Sequence, residues 1–237
     1  MSVIGKNIER VRGKIADAAG KSGRSLSDVR LMAVTKTVDD ERIMEAIEVG
    51  VDIIGENYVQ EAKRKIEKMG KNVEWHLIGR LQTNKAKYAV RLFDMIHSVD
   101  RLGVAVELDK RAKLAGNLMK ILVEVNLSGE ESKSGASREG AIDLIRDVSL
   151  LENLSIKGLM TMPPWFDEPE DARPYFAALR ELRDRVAEKN INGVHMDELS
   201  MGMTGDYAVA VEEGATIVRV GRAIFGERDY TMNGGKQ

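Results

Sequence analysis

One lysine and two glycine-bearing loops carry the chemistry this sequence offers. Lys36 follows the run Leu31-Met32-Ala33-Val34-Thr35, and because side chains alternate along a strand, Met32, Val34 and Lys36 share one face. A lysine held among apolar neighbours loses affinity for its proton and becomes a nucleophile toward aldehydes. Far along the chain, Ser200-Met201-Gly202-Met203-Thr204-Gly205-Asp206 leads a strand into a helix, and Val218-Arg219-Val220-Gly221-Arg222-Ala223-Ile224-Phe225-Gly226 repeats the arrangement. Two helix starts side by side offer free N–H groups and dipoles to an anion. Gly221 lets the backbone approach a phosphate closely, and Ser200 has a hydroxyl to donate. The competing readings are a surface lysine on a loop and two tight turns whose glycines only permit positive φ.

The elements that must position these residues alternate in type. An opening amphipathic helix is predicted over 2–20 from Ile4, Ile8, Val11 and Ile15. Strands follow near 31–35, 52–55, 74–78, 95–99, 120–126, 156–160, 196–200 and 216–220. Helices are predicted between them, with Asp39 or Asp40, Asp100 and Ser137 as candidate openers. Strand–helix alternation requires crossover connections and hence a parallel sheet. Eight such units in 237 residues predict the α/β class: a single (β/α)8 TIM-like barrel with an extra N-terminal helix over 1–22 and a frayed tail at 229–237. A doubly wound open sheet is the alternative, and no Gly-x-Gly-x-x-Gly follows the first strand to favour a dinucleotide version. Barrel sites lie at the C-terminal strand ends, which is where Lys36 and both loops fall. Strands 1 and 8 are neighbours in a closed barrel, so an aldehyde that also carries a phosphate fits both ends. Pyridoxal 5′-phosphate is such a ligand.

Composition narrows the classes. With 36 Lys+Arg against 38 Asp+Glu, net charge −2, the chain lacks the basic surface that nucleic acid or an anionic membrane attracts. It has no cysteine, which excludes disulfides, thiolate metal sites and a thiol nucleophile. No apolar run approaches the length of a membrane span and the N-terminus has no signal-peptide core, so a cytoplasmic location is expected.

The strings AVTKT, IGENYVQE, WHLIGRLQTNK, SVD, VNLSGEESKSG, GLMTM, LSMGMTGDY and TIVRVGRAIFGER, in order across residues 2–228, resemble the pyridoxal phosphate homeostasis protein family. The resemblance implies a barrel similar to the N-terminal domain of alanine racemase (fold type III) with pyridoxal 5′-phosphate as cofactor. It implies that Lys36 holds the aldehyde as an internal aldimine, that Arg219 faces the pyridine nitrogen, and that Asn57 and His76 line the pocket. Ser200 with the backbone at Gly221 and Arg222 would hold the phosphate, Met201 and Thr204 would assist from the same loop, and Met160 would pack near the ring. The Gly129–Gly135 segment, with Lys133, resembles the family's mobile loop over the mouth. Two positions depart from the pattern: Val38 stands where many members have a second lysine, and Arg222 where many have Thr or Ser.

An arginine is a permanent donor, so opposite a ring nitrogen it disfavours protonation and weakens the electron sink. Alanine racemase adds a tyrosine from a second domain, and no counterpart to it is expected in this chain. The expectation is a carrier in intracellular vitamin B6 homeostasis without evident catalysis, a monomer or weak homodimer, with apo-enzymes that use the cofactor as partners. The alternatives are an amino-acid racemase with Lys36 and either His76 or Tyr58 as bases, and a barrel enzyme for a phosphorylated sugar. No metal site is expected, since His76, His97 and His195 lack ligand spacing. His97 reads as a satisfied structural histidine, Lys63–Lys68 as a solvated helix face, and the opening helix as a cover for the barrel base.

Overall fold

The structure, a computed structural model, describes residues 2–130 and 133–227. The tail expected at 229–237, and Glu131 and Ser132 of the Gly129–Gly135 segment, lie outside the described residues. The chain runs α1 (Val3–Lys21), β1 (Arg30–Val34), α2 (Asp40–Glu48), β2 (Ile53–Glu56), α3 (Val59–Met69), β3 (Glu74–Leu77), α4 (Ala86–Leu92) and β4 (Met95–Val99). It continues through α5 (Leu102–Ala115), β5 (Met119–Asn126), β6 (Ala136–Ser137), α6 (Ala141–Ser149), β7 (Leu154–Met160), α7 (Arg173–Ala187), β8 (Val194–Ser200), α8 (Tyr207–Glu212), β9 (Ile217–Val220) and α9 (Arg222–Phe225). All strand pairs are parallel. The order β4-β3-β2-β1-β9-β8-β7-β5 closes on itself through β4–β5, giving an eight-stranded barrel. The two-residue β6 extends the end of β5 at Val125 and Asn126, so Ser137 lies in a strand rather than opening α6. Its hydroxyl accepts from Gly140 N instead, just ahead of that helix.

Strand alternation sorts the core. Outward residues such as Ala33, Ile54, Trp75, Ile96 and Ile121 join the helix faces in one large apolar core. Inward residues form two small clusters, Met32, Ile53, Ile78 and Ile217 in one and Met95, Leu122 and Met160 in the other. The remaining interior is polar, which is unusual for a barrel centre filled mainly by branched aliphatics. At the N-terminal end, Arg30 fills the base, paired with Glu198 at 2.7 Å and Glu74 at 3.4 Å. The opening helix therefore does not close the base. It packs against α2, α8 and α9 in the outer layer. The reason is that α9 has only four residues. Ile8, Val11, Ile15 and Ala19, all buried, cover the outer surface that a full-length last helix would have covered. Asn7 anchors the junction by donating to Ile224 O at 2.9 Å.

Candidate active site

A cavity of about 620 Å³ opens at the C-terminal strand ends, where the first strand and the last two deliver their loops. Its walls include Lys36, Asn57, Thr204, Arg219, Gly221 and Arg222, all predicted from the sequence. Lys36 and residues of both glycine-bearing loops thus face one space. The backbone amides of Thr204, Gly205, Gly221 and Arg222 find no acceptor among the described residues, although each of these residues lines the cavity. Amides withheld from internal bonding are normally matched by water or a ligand. The two loops are tied together where the Thr204 hydroxyl accepts from Ala223 N at 3.4 Å, and within the first loop Asp206 accepts from Met203 N at 2.6 Å. Gly202, at φ 90°, makes the close packing possible, since a Cβ there would lie 2.6 Å from that of Ala210.

Four predicted residues do not line the cavity. Ser200 is fully buried, and its hydroxyl is bonded to Arg219 Nη1 at 2.8 Å and His97 Nδ1 at 2.9 Å. Its side chain is held in the barrel interior by these two partners. His76 is fully buried, bonded to His97 and Glu74. Met160 packs with Met95 and Leu122. Met201 belongs to the outer core, because the residue after an inward Ser200 points outward. Tyr58, the other base considered for a racemase, is 63% exposed and also absent from the walls. His195 is exposed, whereas His97 has both ring nitrogens bonded, as expected.

The segment bearing Lys36 is clamped from behind. Lys65 Nζ donates to Thr35 O at 2.7 Å, to Glu56 Oε1 at 2.6 Å and to Glu61 Oε1 at 2.7 Å. Glu61 also accepts from Thr37 N at 2.8 Å, and the Thr35 hydroxyl donates to Glu56 at 2.5 Å. Both neighbours of Lys36 are therefore fixed, and Thr37 is held at φ 61°, a conformation a β-branched residue adopts only under constraint. Lys65 is completely buried, so the Lys63–Lys68 run is not a uniformly solvated face. The overlooked signal was the Glu61–Lys65 pair at i, i+4 beside Ile66, which turns Lys65 toward the barrel.

Glu124 is a second residue the sequence reading missed, although a carboxylate inside the run Ile121–Val125 was visible. It lines the cavity at 3% exposure. Burial pushes its carboxyl up to about 7; Asp100 adds to the push, and Arg219 and Arg80 oppose it. An acid whose pKa is higher folded than unfolded contributes full stability below the unfolded value and loses it as pH rises through the folded one. Glu124→Gln is therefore expected to stabilise the ligand-free protein by about 2–3 kcal/mol near pH 8 and by much less near pH 4. Urea denaturation at both pH values checks this; equal effects at both would remove Glu124 from the titrating groups.

Among the described residues no helix is long and apolar enough to cross a membrane, and no three His, Asp or Glu side chains cluster to hold a metal. A family profile described as alanine racemase, N-terminal domain, matches residues 7–229. A pyridoxal phosphate homeostasis protein of Aquifex aeolicus is 45% identical over 95% of this chain and 98% of its own length. One of Escherichia coli K12 is 39% identical over 98% and 99%. The solved structure of PipY of Synechococcus elongatus with PLP bound aligns at TM-score 0.79 and 35% identity, covering 90% of this chain and all of that one. An alanine racemase of Clostridium difficile, at 14% identity and TM-score 0.73, shares the fold over 57% of its length.

Proposed function

Because the chain belongs to the alanine racemase N-terminal domain family and to the pyridoxal phosphate homeostasis proteins, we propose that its cavity binds pyridoxal 5′-phosphate and serves intracellular homeostasis of that cofactor. One observation carries the reading: an amine, a buried guanidinium and four backbone amides with no acceptor among the described residues line a single cavity. When bound, the group supplies an aldehyde that condenses reversibly with an amine, and a phosphate dianion. Lys36 provides the amine from a segment whose two flanking residues are immobilised. The amides of Thr204, Gly205, Gly221 and Arg222 accommodate the phosphate, with the Arg222 side chain supplying positive charge where a hydroxyl is missing. Arg219 presents donors at the cavity floor, and Asn57 lines the wall.

Catalysis is not the favoured reading, because the two side chains considered as a second base, His76 and Tyr58, do not reach the cavity. The cofactor's eventual recipients, apo-enzymes, would meet the open mouth, where Trp165 stands 75% exposed at the rim.

Trp165 gives the test. The chain has two tryptophans, and the other, Trp75, is fully buried in the outer core. Titration with pyridoxal 5′-phosphate is expected to quench Trp165 emission in step with a new visible absorption band, and inorganic phosphate is expected to compete. Full-strength emission at saturating cofactor, with no visible band, would reject the reading.

A further inference from the structure

A continuous hydrogen-bond chain crosses the barrel interior from the cavity floor to the opposite end. Arg219 Nη1 donates to the Ser200 hydroxyl at 2.8 Å. That hydroxyl meets His97 Nδ1 at 2.9 Å, His97 Nε2 meets His76 Nδ1 at 3.0 Å, and His76 Nε2 meets a Glu74 oxygen at 2.9 Å. Arg219, Ser200, His97 and His76 are all at least 97% buried, while the Glu74 side chain is 46% exposed at the barrel base.

With both imidazoles neutral, the carboxylate at one end fixes every proton between the two ends. A guanidinium only donates and a carboxylate only accepts. Ser200 Oγ, accepting from Arg219, gives its own proton to His97 Nδ1. His97 then carries its proton on Nε2 and donates to His76 Nδ1, and His76 carries its proton on Nε2 and donates to Glu74. Only neutral imidazoles fit this direction. Burial lowers the pKa of both histidines, that of His97 strongly. Glu74 is held ionised, at about 2, first by the His76 hydrogen bond. Every bond dipole points its positive end toward Glu74 and its negative end toward Arg219. The chain therefore opposes the desolvation that lowers the Arg219 pKa to about 10. Arg219 is also tied to Ser200 O at 2.7 Å and Thr161 O at 2.8 Å, so its orientation is set as well as its charge.

We propose that His97 and His76, through Ser200, are positioning residues that hold Arg219 charged and aimed, making the cavity floor an obligate donor. This rests on the function proposed above, in which Arg219 faces the ring nitrogen of the bound group; the new part is the support behind Arg219. Neither histidine touches the ligand.

The ligand-free protein tests the chain directly. In ¹⁵N-histidine NMR near neutral pH, with His195→Gln simplifying the spectrum, His97 and His76 are both expected as neutral Nε2–H tautomers. An Nδ1–H tautomer or an imidazolium at either residue overturns the proposal. In the loaded protein, His97→Phe is expected to weaken cofactor binding about tenfold and to shift its visible band. His97→Gln keeps an acceptor and a donor about the same distance apart and is expected to restore both. Wild-type binding and an unshifted band in a folded His97→Phe variant would overturn it too. If the wild type forms no adduct at all, the proposed function fails, but the tautomers still decide the chain.

Discussion

Lys36→Ala is expected to abolish the visible band and every borohydride-stable adduct, whereas wild-type protein treated with pyridoxal 5′-phosphate yields a modified peptide containing residue 36. The reason is positional. The 237 residues include many other lysines, but among the described residues Lys36 is the one in the cavity walls, and the backbone on both sides of it is clamped by Lys65 and Glu61. The loop amides and Arg219 survive the substitution, so weak non-covalent binding should persist. A loss of about a hundredfold in affinity, roughly 2.7 kcal/mol, is the expected scale. Lys36→Arg separates charge from chemistry: it keeps a cation but cannot condense, and is expected to bind weakly and remain colourless. Peptide mass mapping after reduction reads both variants. An equally abundant adduct on another lysine in Lys36→Ala would end the assignment.

The second large effect concerns stability. Lys65→Met should destabilise the fold by about 3–5 kcal/mol, the range for removing one partner of a buried ion pair. Glu56 is fully buried with Lys65 as its counter-ion at 2.6 Å, and its Oε2 has no hydrogen-bond partner among the described residues. Burial already raises the Glu56 pKa against the pull of Lys65. Without the lysine the carboxyl must ionise uncompensated or stay protonated. A raised acid contributes its stability below the unfolded pKa and loses it as pH climbs, so the penalty should be smaller in mild acid than in mild alkali. Adding Glu56→Gln should recover part of the loss, because the uncompensated charge is gone. Urea unfolding of the single and double variants measures this. A change under about 1 kcal/mol in the single variant would mean that water or relaxation solvates Glu56. The same variant should slow adduct formation at Lys36, since Thr35 O loses its anchor.

Both predictions reach residues that the sequence handled unequally. Lys36 was legible because strand alternation plus barrel topology places a strand-end residue at the mouth, and this needs only local pattern. The glycine loops at 200–206 and 218–226 were legible for the same reason. Lys65 was not, because a charged run on a helix is usually solvated, and its i, i+4 pairing with Glu61 does not by itself reveal that the end of β2, nine residues back, carries Glu56 for it. Ser200 was assigned to the phosphate from its place in a loop motif. In the fold it is the last residue of β8, its side chain inward, where His97 of β4 and Arg219 of β9 compete for it.

What the sequence by itself determined is the order of eight strand–helix units, hence a parallel sheet that the β4–β5 pairing closes into a barrel, and the set of strand ends from which a site must be built. Hydrophobic period and turn chemistry are local, so they survive without coordinates. What only the tertiary structure decided is depth along the barrel axis and partnership across it. Whether a polar side chain opens to the cavity or is spent on another strand depends on register and on residues a hundred positions away, as with His97 and Ser200. That physical fact separates the residues that line the cavity from those that support it.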